Sequence, residues 1–193
     1  MDISSDLLKE LRNETGISVM QCKKALEEAG GDKEKAMVLL RKKGAEVAAK
    51  KSDREFGAGV VGVYSHNTNT VAAMVSLACE TDFVAKNEQF MTLARDIAMH
   101  VTALDPKFLT RDEISEEAVT SAKAVFTDEI KDKPADLQEQ ILQGKLDAYF
   151  KDQILLEQSF VKDPEKTIDD MIKNAIQTFG ENIAVVEFRR MSV

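Results

Sequence analysis

From Thr70 to Cys79 the chain alternates, with Val71, Ala73, Val75, Leu77 and Cys79 on one parity, and this pattern predicts a strand. It breaks at Glu80-Thr81-Asp82, presents Phe83 and Val84, and takes up helical spacing from Asn87. A strand therefore ends in a short polar corner that carries an aromatic residue. Base rates place such a ring in the core as a staple. The alternative is that Phe83 points outward at something else, because Thr81 and Asp82 already supply the polar caps that a corner needs.

Upstream, residues 4–43 read as three short helices. Ser4 or Ser5 caps the first, with Leu7, Leu8 and Leu11 inward; Ser18, with Gln21 three residues on, opens the second, whose apolar side is Val19, Cys22, Leu26 and Ala29. Gly30-Gly31 ends it, Asp32 caps the third, and Ala36, Leu39, Leu40 and Lys43 follow until Gly44 stops it. A module of about 40 residues lies near the lower limit for independent folding. It resembles a ubiquitin-associated domain, a type of module that binds other proteins. Residues 45–56 are expected to form a charged linker. Arg41-Lys42-Lys43, Lys50-Lys51 and Arg54 make this region locally basic, but no aromatic residues are interleaved to stack on bases, so a solvated segment is expected.

The third section, 57–193, opens on Gly57-Ala58-Gly59-Val60-Val61-Gly62, a literal G-x-G-x-x-G. A dinucleotide fingerprint needs a strand before the glycines and a helix opening within them. Here a charged stretch precedes and an alternating run follows, so the glycines are expected to permit close strand packing. Asn67-Thr68-Asn69-Thr70 turns the chain into the next strand, with His66 at the loop tip. A helix from Asn87 or Glu88 carries Phe90, Leu93, Ile97 and Val101, and Asp105-Pro106 ends it. Residues 115–132 and 135–151 are two charged helical patterns separated by Asp132-Lys133-Pro134, which predict an antiparallel hairpin projecting from the body. Ile168, Met171, Ile172, Ala175 and Ile176 mark a last helix, and Ile183–Phe188 a closing strand. The expected fold class is α+β: the three-helix module, then a small antiparallel sheet packed with helices, with the hairpin projecting.

Composition narrows the chemistry. A formal charge of −8 argues against non-specific nucleic-acid binding. Cys22 and Cys79 lie far apart without a CxxC and read as buried reduced thiols, and two histidines, His66 and His100, are too few for a persuasive metal site. No long apolar run and no basic-then-apolar N-terminus is present, so a cytoplasmic protein with no membrane contact is expected. With no P-loop and no paired nucleophile and base, neither catalysis nor a cofactor is expected.

Four blocks together carry a family resemblance: TGISVMQCKKALEEAGGDKEKAMVLLRKKG, CETDFVAKNEQF, GKLDAYF with LLEQSFVKD, and GENIAVVEFRR. In this order they are similar to bacterial elongation factor Ts, from Leu7 to Arg189. The resemblance implies a guanine nucleotide exchange factor that binds the GTPase elongation factor Tu and disturbs its magnesium and phosphate site. It implies partner contacts at Thr81, Asp82, Phe83 and Val84, at Arg12, Val19, Met20 and Lys23 of the module, and at His66 of the hairpin. A single hairpin, corner and protrusion match the short form of the family, for which a symmetric homodimer paired through the sheets is expected. An adaptor or chaperone subunit that captures peptides through residues 4–43 is the alternative, and an enzyme using Cys79 or Asp82 a distant third.

Overall fold

A computed structural model describes residues 3–131 and 134–193, so Met1, Asp2 and the Asp132-Lys133 break expected between the two long helices lie outside the described residues. The order is α1 (Ser5–Thr15), α2 (Val19–Glu28), α3 (Lys33–Ala49), β1 (Ala58–Ser65), β2 (Val71–Cys79), α4 (Asp82–Ala85) and α5 (Glu88–Leu104). There follow α6 (Glu116–Glu129), α7 (Ala135–Lys151), β3 (Ser159–Phe160), β4 (Asp163–Thr167), α8 (Ile168–Phe179) and β5 (Ile183–Ser192).

The first three helices start where local chemistry dictates. Ser4, Ser18 and Asp32 each accept a hydrogen bond from a first-turn backbone N–H, those of Asp6, Gln21 and Lys35. Leu11, Ile17, Cys22, Leu26, Ala36 and Leu40 form a core of their own between them. The expected stop at Gly44 is overturned. α3 runs through Gly44 to Ala49, so the predicted linker is helical for its first five residues. The physical reason is tertiary: Gly44 is buried against α8, where an added β-carbon would sit 3.0 Å from Gln177 Oε1 and 3.5 Å from the Lys173 carbonyl. A mid-helix glycine costs about 1 kcal/mol against alanine, and close helix–helix approach offsets it. Val47 and Ala48, one turn on, pack against the main core.

β1, β2 and β5 form an antiparallel sheet in the order β1-β2-β5. Among the described residues, helices cover one face only. Ala73, Val75, Leu77, Val185 and Ile183 meet Phe90, Ala94, Ile97, Val101 of α5 and Ile168, Ile172, Ala175, Ile176 of α8 in the main core. The opposite face leaves Val61, Val63, Met74, Val186 and Met191 exposed. The glycine run acts in packing, as its context implies. A β-carbon on Gly62 would lie 2.3 Å from the Ala94 carbonyl, and one on Gly59 would lie 2.6 Å from the Leu77 carbonyl.

α6 and α7 form the hairpin, with a small cluster of Ala122, Leu146, Phe150 and Ile154 joined by Phe108, Ala118 and Phe126. Lys145 pairs with Glu129 across it at 2.6 Å, and Arg111 at its base holds Glu157 through two nitrogens, at 2.6 and 2.8 Å. Val119, Val125 and Tyr149 of the hairpin are exposed.

Candidate partner-binding site

β2 delivers the chain to the corner at Cys79, whose side chain is buried, and Thr81 then opens α4 by accepting from the Val84 N–H at 3.5 Å. The two central side chains of the corner part company. Phe83 is 81% exposed, whereas Val84 is 3% exposed and belongs to the main core. This removes the staple reading of Phe83. It also corrects the expectation for Val84, which faces α5 and the sheet and offers no surface to a partner; in a one-turn helix anchored by Val84 and Ala85, the residue before them is turned out.

Asp82 is exposed and pairs with Lys86 one turn on. The hydrogen bond and charge of Lys86 hold its carboxyl below the usual aspartate range. The cap of α4 is therefore Thr81, and Asp82 is left an ionised group beside Phe83. Behind them the backbone is tied to the start of β5. Glu181 Oε2 accepts from the N–H groups of Glu80 and Thr81 at 3.1 and 3.0 Å, and Thr81 Oγ1 donates to Glu181 Oε1 at 2.6 Å. In return, the Asn182 N–H donates to Glu80 Oε1 at 2.6 Å. That backbone donor, with Arg54 nearby, holds the Glu80 carboxyl below its ordinary value against the opposing effect of burial.

The module positions are all on the surface. Met20 is 82% and Val19 50% exposed at the start of α2, and Arg12 and Lys23 are exposed, the latter 3.8 Å from Glu27. Among the described residues no hydrogen bond or ion pair joins these four to the corner. The module reaches the body instead through α8, where Gln177 donates to Gln21 at 2.7 Å and Asn174 to the Thr15 carbonyl at 3.0 Å. His66 is exposed at the hairpin turn, its Nδ1 3.0 Å from Thr68 Oγ1. Sequence reasoning missed Glu181, Asn182 and Arg54, whose partners lie far away along the chain.

Burial, then the charge of Glu181, pushes the Cys79 thiol up, away from a reactive thiolate. Among the described residues no group of three or more His, Cys, Asp or Glu side chains could hold a metal ion. His100 is fully buried between Gln158 and Val161. A cavity of about 350 Å³ between module and body is lined by Ile17, Met37, Leu93, Phe160 and Phe179, and no corner residue borders it. No helix is long and apolar enough to cross a membrane among the described residues.

The chain is similar to elongation factor Ts of Thermosipho melanesiensis, at 46% identity over 193 residues, covering 99% of this chain and 98% of the relative. It is likewise similar to elongation factor Ts of Fervidobacterium nodosum, 45% identical over 195 residues with 100% and 99% covered. With that of Thermotoga maritima it shares 41% over 193 residues, with 100% and 97% covered. The family model described as elongation factor TS matches residues 33–193, and the chain belongs to the elongation factor Ts family.

Proposed function

We propose that this protein promotes GDP release from elongation factor Tu by inserting Phe83 into the GTPase, with Asp82 beside it. The observation that carries the reading is a large aromatic ring, 81% exposed, on a corner whose backbone is fastened on both sides. An exposed apolar side chain of this size on a rigid support is the form a binding anchor takes. The action is steric and indirect. Phe83 fills a pocket of the GTPase, displaces the elements that hold magnesium, and so weakens the grip on the nucleotide phosphates. Arg12, Val19, Met20 and Lys23 form a second contact, and His66 a third. Exchange factor and nucleotide each weaken the other's binding by the same factor, so nucleotide-free elongation factor Tu is the form bound most tightly.

Two chains pair through the uncovered sheet face, where Val61, Val63, Met74, Val186 and Met191 supply an apolar surface without helical cover. The peptide-capturing adaptor is not favoured by a family match that extends from Lys33 to Val193, through the whole body.

The test is release of labelled GDP from elongation factor Tu with the wild-type chain and with Phe83→Ala. Loss of release, with binding to the nucleotide-free GTPase weakened by about 2 kcal/mol or more, is the expected result for an anchor. Equal affinity of the wild-type chain for the GDP-bound and nucleotide-free forms, measured by calorimetry, overturns the exchange reading.

A further inference from the structure

α4 is a helix of four residues, too short to hold its own direction, so the aim of Phe83 is set by what fastens its ends. Below it, burial of Val84 and Ala85 fixes the C-terminal side. At the N-terminal side the β2–β5 ladder ends with the pair Cys79–Ile183, and the next two backbone N–H groups, those of Glu80 and Thr81, lie past the end of β2. Glu181 takes both, at 3.1 and 3.0 Å, and takes the Thr81 hydroxyl as well at 2.6 Å. Glu80 crosses in the opposite sense to the Asn182 N–H, while the Asn182 side chain donates to the Arg54 carbonyl at 2.8 Å. Each carboxylate thus accepts from the other segment's backbone donors. Thr81 is also the cap of α4, so the same carboxylate that holds its N–H and hydroxyl orients the first turn on which Phe83 stands.

We infer that Glu181 is a positioning residue for nucleotide exchange: it acts through Thr81 to hold Phe83 outward at a fixed angle, without itself meeting the GTPase. The inference rests on the reading of Phe83 as the inserted residue. A ring held in place enters the pocket without first ordering the corner, and misplacement of an active group by about 1 Å lowers a rate strongly.

The experiment titrates elongation factor Tu carrying labelled GDP with four chains: Glu181→Ala, Glu181→Gln, Phe83→Ala and the Glu181→Ala/Phe83→Ala double variant. Each titration gives a saturating release rate and a half-saturating concentration, and each chain's melting temperature is recorded. Glu181→Ala is expected to lower the saturating rate about tenfold while the half-saturating concentration stays within about threefold, since the module contact is untouched. Glutamine can still accept both N–H groups and donate to Thr81 Oγ1, so Glu181→Gln is expected to return the rate to within about threefold of wild type. On the Phe83→Ala background, Glu181→Ala should add less than about twofold, because both changes remove one action. A wild-type saturating rate for Glu181→Ala, additive losses in the double variant, or a chain unfolded at the assay temperature each overturns the positioning role. Phe83→Ala with wild-type release would instead remove the inserted-residue reading itself, a result distinct from an impaired Phe83→Ala beside an unimpaired Glu181→Ala.

Discussion

Gly62 in β1 lies directly under Ala94 in α5, so close that a β-carbon would stand 2.3 Å from both the carbonyl carbon and the oxygen of Ala94. The atoms met are backbone, and no rotamer change relieves them. Gly62→Ala should therefore force α5 away from the sheet and lower stability by about 3 kcal/mol, at the upper end of overpacking effects. A urea titration checks this: the midpoint should fall without a change in slope.

Two phenylalanines seven residues apart should behave oppositely. Phe90 is fully buried and meets the edge of Phe179 with ring centres 6.0 Å apart, so Phe90→Ala should cost about 3 to 5 kcal/mol. Phe83 is 81% exposed, and Phe83→Ala should change stability by no more than about 0.5 kcal/mol. Thermal melts of the two variants side by side separate a core ring from a presented one.

The legible parts of the fold were those with a strong period and a local stop. β2 and α8 announce themselves through Val71, Ala73, Val75, Leu77 and through the Ile168–Ile176 stripe with Gly180 behind it, and their observed bounds follow those signals. The β3–β4 pair was invisible because Asp163-Pro164-Glu165-Lys166-Thr167 is short, charged and contains proline, all depleted in strands. Gly44 misled because a glycine near the end of a helical pattern reads as a stop, whereas here it makes room for α8. In the corner, the exposure of Phe83 followed from its lack of local duty, but the burial of Val84 did not follow from any local pattern, and the contact from Glu181 comes from 100 residues away.

Acid should weaken the fold in two steps. The Val161 N–H donates to His100 Nδ1 at 3.2 Å, so Nε2 carries the proton and donates to Gln158 Oε1 at 2.9 Å. Burial depresses the His100 pKa below its ordinary 6.5. The unfolded chain then binds the proton first, so this contribution is complete above pH 6.5 and is lost as pH falls toward the folded-state value. Glu80, depressed from 4.5 chiefly by the Asn182 N–H, acts with the same sign in a lower window, below pH 4.5. Stability measured against pH should fall first below 6.5 and again below 4.5, and His100→Gln should abolish the first step alone.

Pairing through the bare sheet face should depend on its cross-strand centre. Val63 and Met74 stand opposite each other in the β1–β2 register, and both are about half exposed. Light scattering of the wild-type chain at micromolar concentration should return twice the monomer mass of 21.4 kDa. Val63→Lys/Met74→Lys, which places two charges in the middle of that face, should return the monomer mass with an unchanged melting temperature per folded chain.

α3 belongs to two cores at once. Ala36 and Leu40 close the module, while Val47 and Ala48, beyond Gly44, rest on the body. The helix that closes the module carrying Met20 is thereby also seated on the body that carries Phe83. For a bivalent ligand this is the difference between a tether and a ruler. A floppy tether presents its second contact at roughly millimolar effective concentration, and a rigid frame of the right length exceeds that, while one of the wrong length gains nothing. A change of one residue in the length of α3 between Leu40 and Val47 would rotate the module about the helix axis by about 100° relative to the body.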